Sequence, residues 1–224
     1  MIPLYDDIRS RRRPYVNYCL IAACTLVWII QFRSQLAGEG LFDQMILQYG
    51  MIPQNILAGQ RLWTLVTSIF LHGGWFHFLG NMLYLWIFGD NVEDAFGHLF
   101  YPLVYLFSGV AGNGLQLTLS ANTTIPTIGA SGAISGVLGA YFVLYPRAQV
   151  VTLIPFFIFL RIVRLPAAVL LGFWILFQVI SGCGSIGRTG GGVAYLAHVG
   201  GFAAGLLCGL LVRRRVQRPW YEIE

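Results

Sequence analysis

Two residues of this 224-residue chain stand out against their surroundings. Ser131 sits in Gly129-Ala130-Ser131-Gly132, where it opens the apolar segment Ser131–Tyr145. His198 sits in Ala197-His198-Val199-Gly200-Gly201, near the start of the last apolar segment, Val193–Val212. An ionisable residue inside a spanning helix is expensive, and it marks a functional site by default. A hydroxyl nucleophile and an imidazole base are the minimum parts for acyl transfer. The pair therefore suggests a hydrolase that works inside a membrane.

A second group of polar residues lies in His72-Gly73-Gly74-Trp75-Phe76-His77-Phe78-Leu79-Gly80-Asn81. His77 and Asn81 are four residues apart and so share a helix face. An asparagine amide is a good donor to a developing oxyanion. So are the unpaired N–H groups at a helix start, where Ser131 falls. His72 and His77 lack the HExxH spacing and an adjoining acid, so no metal site is expected. His72 itself reads as an interfacial loop residue.

Small residues at four-residue spacing connect the two chemical positions. Gly132, Gly136 and Ala140 form one stripe, and Ala197, Gly201, Gly205 and Gly209 form another. Such stripes let helix backbones approach closely in lipid. A close crossing of these segments would bring the serine hydroxyl to the imidazole. Gly129 and Gly132 also relieve crowding around Ser131.

The elements that must position these residues follow from composition. The chain is 57% hydrophobic and 10% charged, against roughly 25% charged for a soluble domain. Its apolar residues fall in long runs, so an all-α polytopic membrane protein is expected. Six spanning cores are predicted: Tyr15–Phe32, Phe76–Phe88, Leu99–Leu119, Ser131–Tyr145, Leu165–Ser181 and Val193–Val212. The first is taken as a retained helix rather than a signal peptide, because its apolar run continues past Cys24. The apolar stretch 150–160 is too short to span and is predicted to be interfacial or re-entrant. The connection carrying Asp90, Glu93 and Asp94 is predicted to face the cytoplasm.

All 14 basic residues are arginine. With the N-terminus inside, eleven of them (9, 11–13, 147, 161, 164, 213–215 and 218) fall on the inner side, and only Arg33, Arg61 and Arg188 fall outside. The positive-inside rule favours this arrangement. Both ends are then cytoplasmic, as a tail of residues 1–14 and a basic tail of residues 213–224 flanking a catalytic domain of residues 15–212. Ser131 and His198 both fall near the external face. The net charge of +5 is thus an orientation signal and not a nucleic-acid footprint. Cys19, Cys24 and Cys208 lie in apolar runs and read as core hydrophobes, with no disulfide framework. Asn122-Thr123-Thr124 matches a glycosylation acceptor in a loop expected to be external.

No Asp or Glu falls within the third to sixth cores, so a Ser-His dyad is the economical reading. The same absence counts against a proton-coupled transporter or channel. A catalytically silent protein that binds membrane helices is the other alternative, but such a protein would have no need to keep both residues.

Taken together, these motifs resemble the rhomboid family of intramembrane serine proteases. The likeness rests on Gly129-Ala130-Ser131-Gly132, on Ala197-His198 with Gly200, Gly201 and Gly205, and on His77 with Asn81. Met1-Ile2-Pro3-Leu4 and the Tyr141–Pro146 region are also familial. The resemblance implies a six-helix bundle without a seventh helix, with Ser131 as nucleophile and His198 as general base. It implies an oxyanion hole of His77, Asn81 and the Ser131 backbone N–H. Substrates would be single-pass membrane proteins, cleaved near the external face after small residues in segments that unwind easily. No cofactor is expected, and the partners are transmembrane substrates and the lipid bilayer. The short tails suggest a prokaryotic plasma membrane. Two positions depart from the family pattern. Ser135 stands where many members carry an aromatic that stacks on the catalytic histidine. Arg61-Leu62-Trp63-Thr64 replaces the usual Trp-Arg of the first external segment.

Overall fold

The structure is a computed structural model that describes residues 1–38, 40–119, 124–156, 159–185 and 192–216. Six helices of 14 residues or more overlap the predicted cores: α1 (Tyr15–Ala37), α5 (Trp75–Phe96), α6 (Tyr101–Leu119), α7 (Ser131–Leu144), α8 (Ala167–Ser185) and α9 (Tyr195–Val216), of which α7 is shorter than a full span. Three short helices, α2 (Leu41–Tyr49), α3 (Pro53–Leu57) and α4 (Thr64–Thr67), and a 3-10 turn, Ser68–Phe70, fill the connection after α1. By length and hydropathy α1, α8 and the Tyr195–Arg213 part of α9 can each cross a membrane. α5 and α6 pass that test jointly, with a 119° bend between them. Large apolar side chains such as Phe76, Leu99, Phe173 and Leu211 are exposed on the outside of the chain, an apolar surface suited to lipid.

α7 is the central helix. From Gly132 to Leu144 only Phe142 escapes full burial, as expected of a segment apolar on every face. α9 crosses it so closely that side chains are excluded at the contact. A methyl group on Gly201 would meet the Gly132 carbonyl oxygen at 1.9 Å, and one on Gly205 would meet the Gly136 oxygen at 1.8 Å. Conversely, a methyl on Gly139 would meet the Phe202 oxygen at 2.1 Å. α6 joins the same cluster, since a methyl on Gly112 would lie 2.4 Å from the Ala197 oxygen. With no hydrophobic drive between helices in lipid, such dense packing supplies much of the association energy.

The expectation of an all-α protein is corrected. β1 (Ile2–Asp6), β2 (Gln149–Phe156) and β3 (Phe159–Pro166) form an antiparallel sheet in the order β1-β2-β3. The stretch after α7 is thus the first strand of a hairpin, and residues 2–6 of the N-terminal tail are a strand paired with it. β-branched residues at 150–152, 154, 162 and 163 favour extended backbone. The partner strand comes from the far end of the chain, pairing Ile2 with Leu153 and Asp6 with Val150. Leu165 and Pro166 accordingly belong to β3 and not to α8.

A second correction concerns the acidic residues after Phe88, which continue α5 instead of forming a loop. Glu93 is buried, and it accepts the backbone N–H groups of Val16 and Asn17 at 3.0 and 2.7 Å. Asp94 accepts those of Arg11 and Arg12, each at 3.2 Å. Glu93 thus satisfies two orphan donors in the first turn of α1 and complements its dipole, while Asp94 holds the segment that leads into the helix. Cys19 and Cys183 are exposed and Cys208 is partly exposed, so of the four cysteines only Cys24 is in the core. The acceptor Asn122, Arg188 and the tail beyond residue 216 lie outside the described residues.

Candidate active site

The approach to Ser131 is fixed before the helix begins. Met51 and Thr127 bridge through their backbones, and the Gly129 N–H donates to the Ser68 carbonyl at 2.9 Å. Ser68 is held in turn by the Asn113 amide of α6 at 3.0 Å. Gly129 has φ +133°, a region closed to most side chains. It also has no room for one, since a methyl there would lie 2.8 Å from Cε1 and Nε2 of His77. Its role is therefore to let the His77 ring sit beside Ser131, whereas Gly136, Gly201 and Gly205 serve helix packing. Gly132 contributes to that packing through its carbonyl, because a methyl at that position would make ordinary contacts.

Across the α7–α9 crossing, Ser131 Oγ and His198 Nε2 lie 2.7 Å apart. His198 is buried, with 8% of its surface exposed. Its other ring nitrogen, Nδ1, lies 2.7 Å from Oε1 of Gln178 on α8. The Trp174 ring, one helical turn away on α8, lies against the imidazole with centroids 5.8 Å apart and planes inclined by 32°. Ser135 makes no such contact; its hydroxyl donates to the Ser131 carbonyl at 2.6 Å. The aromatic neighbour missing from α7 is thus provided by α8.

On the other side of Ser131 stand His77 and Asn81 of α5. The Gly73 N–H donates to His77 Nδ1 at 3.3 Å. A neutral His77 therefore carries its proton on Nε2, an atom packed against Gly129. Asn81 is buried, and its amide nitrogen has no hydrogen-bond partner. A buried amide donor without a protein partner is available to an acceptor in the cavity that it lines. All four side chains line one open cavity of about 1000 Å³, with Trp174 on its wall.

His72 lies in the loop between the 3-10 turn and α5, but it does not face solvent. It is fully buried beneath His77, with ring centroids 5.4 Å apart, and packs edge-on against Trp28 and Phe78. Gln31 holds its backbone at both N–H and C=O, each at 3.0 Å. Arg61 caps α2 by donating to the carbonyls of Leu47 and Gln48, and its guanidinium lies 5.5 Å from the Trp63 ring centroid. Arg61 and Trp63 thus pack within the connection that follows α1.

Sequence reasoning passes over two neighbours of the histidine, Gln178 and Trp174. Gln178 carries the same signal as His198, a polar residue within an apolar run, Leu176-Phe177-Gln178-Val179-Ile180.

The fold and site together define a helical membrane protein with a serine and a histidine in hydrogen-bond contact inside a cavity. The sequence model of the Rhomboid domain matches residues 59–215, and the chain belongs to the Rhomboid family. It is 33% identical to RHOMBOID-like protein 4 of Arabidopsis thaliana over 76% of this chain and 39% of that protein. It is 31% identical to Rhomboid protease GluP of Bacillus subtilis over 84% of this chain and 35% of that protein. It is 29% identical to the mitochondrial Rhomboid protein 1 of Saccharomyces cerevisiae over 77% of this chain and 48% of that protein. The chain therefore spans between about a third and a half of the length of these curated relatives.

Proposed function

We propose that this chain is an intramembrane serine endopeptidase acting through a Ser131–His198 dyad. The observation that carries this is the 2.7 Å contact between Oγ and Nε2 inside a cavity that also holds a free amide donor, Asn81. The Bacillus subtilis relative, a rhomboid protease by name, agrees with it. His198 takes the hydroxyl proton as Ser131 attacks a peptide carbonyl, and the resulting oxyanion is received by Asn81 Nδ2 and His77 Nε2–H. The imidazolium then protonates the leaving amine, and the acyl-enzyme is hydrolysed by water from the open cavity.

Six spans, with both ends on the cytoplasmic side, set the orientation in this proposal. The arginine distribution supports it, and it places the serine near the external face. The catalytic unit is then residues 15–212, joined on its inner side by the sheet. The substrates proposed are transmembrane segments of other proteins. A helical peptide bond is shielded and hydrogen-bonded, so cleavable segments must unwind locally. A smaller groove of about 190 Å³ between α5 and α8 shares Tyr84 and Trp174 with the main cavity, which makes this wall a short route for a helix arriving from lipid. The membrane proposed is a prokaryotic plasma membrane.

The test is cleavage of a transmembrane substrate by purified protein in nanodiscs, alongside Ser131→Ala and His198→Ala. Cleavage lost in both variants is expected. Undiminished cleavage in either variant would sink the dyad.

A further inference from the structure

We propose that Gln178 is a positioning residue for the reaction. Its amide oxygen holds the Nδ1 proton of His198 and so keeps the lone pair of Nε2 facing the Ser131 hydroxyl. The proposal rests on the Ser131–His198 reading above. A neutral imidazole has one N–H, and which nitrogen carries it is set by the partner of the other. Here both ring nitrogens are engaged at 2.7 Å, Nδ1 by Gln178 Oε1 and Nε2 by Ser131 Oγ. An amide oxygen can only accept, so this orientation puts the proton on Nδ1. The opposite tautomer would present an N–H to the serine and could not take its proton.

The neighbourhood leaves this task to an amide. The chain has no Asp or Glu between residues 101 and 216, so α6, α7, α8 and α9 offer no carboxylate to orient the ring. Gln178 is itself buried, at 6% exposure, which shelters the contact from competing water. Trp174, one turn earlier on α8, lies against the ring and limits its tilt. The imidazole is thus held at both nitrogens and over one face by groups from two helices besides its own. The nucleophile and base belong to the tightly interlocked α7–α9 pair, but the tautomer is chosen by α8.

A neutral acceptor differs from a carboxylate in one testable respect. It fixes the tautomer without adding a negative charge beside the imidazolium formed in the reaction. Gln178→Glu should therefore keep the ring orientation and raise the affinity of His198 for a proton. Gln178→Leu should keep the volume and lose the orientation.

The experiment measures kcat and KM against pH for a fluorogenic transmembrane peptide, using wild type, Gln178→Leu and Gln178→Glu in nanodiscs. Gln178→Leu should lower kcat about tenfold or more with KM little changed. Gln178→Glu should retain turnover and move the acid limb of the profile to higher pH. Nitrogen-15 shifts of the His198 ring, assigned by comparison with His198→Ala, give a readout independent of turnover. Wild type should show a protonated Nδ1, and Gln178→Leu a mixture of tautomers. A wild-type ring protonated on Nε2 would overturn the proposal. So would a folded Gln178→Leu with unchanged kcat, pH profile and tautomer. Failure of the underlying dyad is separable, because it would appear as activity surviving in Ser131→Ala, whatever Gln178 does.

Discussion

Ser131 and His198 are 67 residues apart in the chain and in hydrogen-bond contact in space. Nothing local holds them, so their neighbours must supply the precision that the proposed acyl transfer requires. Asn81 keeps a free donor, and His77 is oriented by the Gly73 N–H. Asn81→Ala should lower kcat about 10²-fold with a small effect on KM, as removal of an oxyanion donor does elsewhere. Substrate-saturation kinetics in nanodiscs would check this, and an effect confined to KM would mean that Asn81 binds substrate in its ground state. These polar residues are legible in the sequence because they interrupt apolar runs. Gln178 is equally visible there, yet an amide has no acid–base chemistry of its own, so only its 2.7 Å contact with Nδ1 gives it a role.

At the scale of elements, the α7–α9 crossing sets the distance between serine and histidine. The four-residue spacing of Gly201, Gly205 and Gly209 predicts a close-packing face, and the described contacts lie along it. Gly205→Ala places a methyl 1.8 Å from the Gly136 oxygen, and backbone cannot move aside cheaply. A loss of about 1–3 kcal/mol of stability is expected, seen as a lower unfolding midpoint in detergent. Gly80→Ala, with nothing near its added methyl, should stay within about 0.5 kcal/mol of wild type. Equal effects would mean that the crossing is not tightly packed in the membrane. The hairpin of β2 and β3 was harder to foresee. A run of apolar residues too short to span reads alike as strand or membrane-surface segment, and its partner β1 is about 150 residues away.

Over the whole molecule, the N-terminal strand is tied to the segment that follows α7, at the end of that helix away from Ser131. β1 pairs with β2, and Asp6 accepts hydrogen bonds from Asn91 Nδ2 at 3.0 Å and from the Tyr141 hydroxyl. Burial is the main cause that raises the Asp6 carboxyl from 3.8 to about 6, with the Tyr141 bond opposing and the Asp90 charge reinforcing the shift. The native state then binds this proton more tightly than the unfolded chain. The contribution of Asp6 to stability should therefore fall as pH rises from about 4 to about 6, then level off. Thermal unfolding across that range should show the slope in wild type and less of it in Asp6→Asn. Identical slopes would place the titration elsewhere.

Composition and periodicity alone determined that this is a helical membrane protein, where its six apolar segments lie and which polar residues interrupt them. Each of these follows from the cost of exposing or burying a side chain, a cost that depends on the residue and its near neighbours in the chain. Only the tertiary structure decided that α8 supplies Gln178 and Trp174 beside the histidine, that Glu93 caps α1 while Asp94 holds the chain just before it, and that the first residues form a strand with the hairpin. Those outcomes depend on hydrogen-bonding groups finding one another across dozens of residues. A polar atom's need for a partner is written in the sequence, but the partner's identity is settled only when the helices have packed.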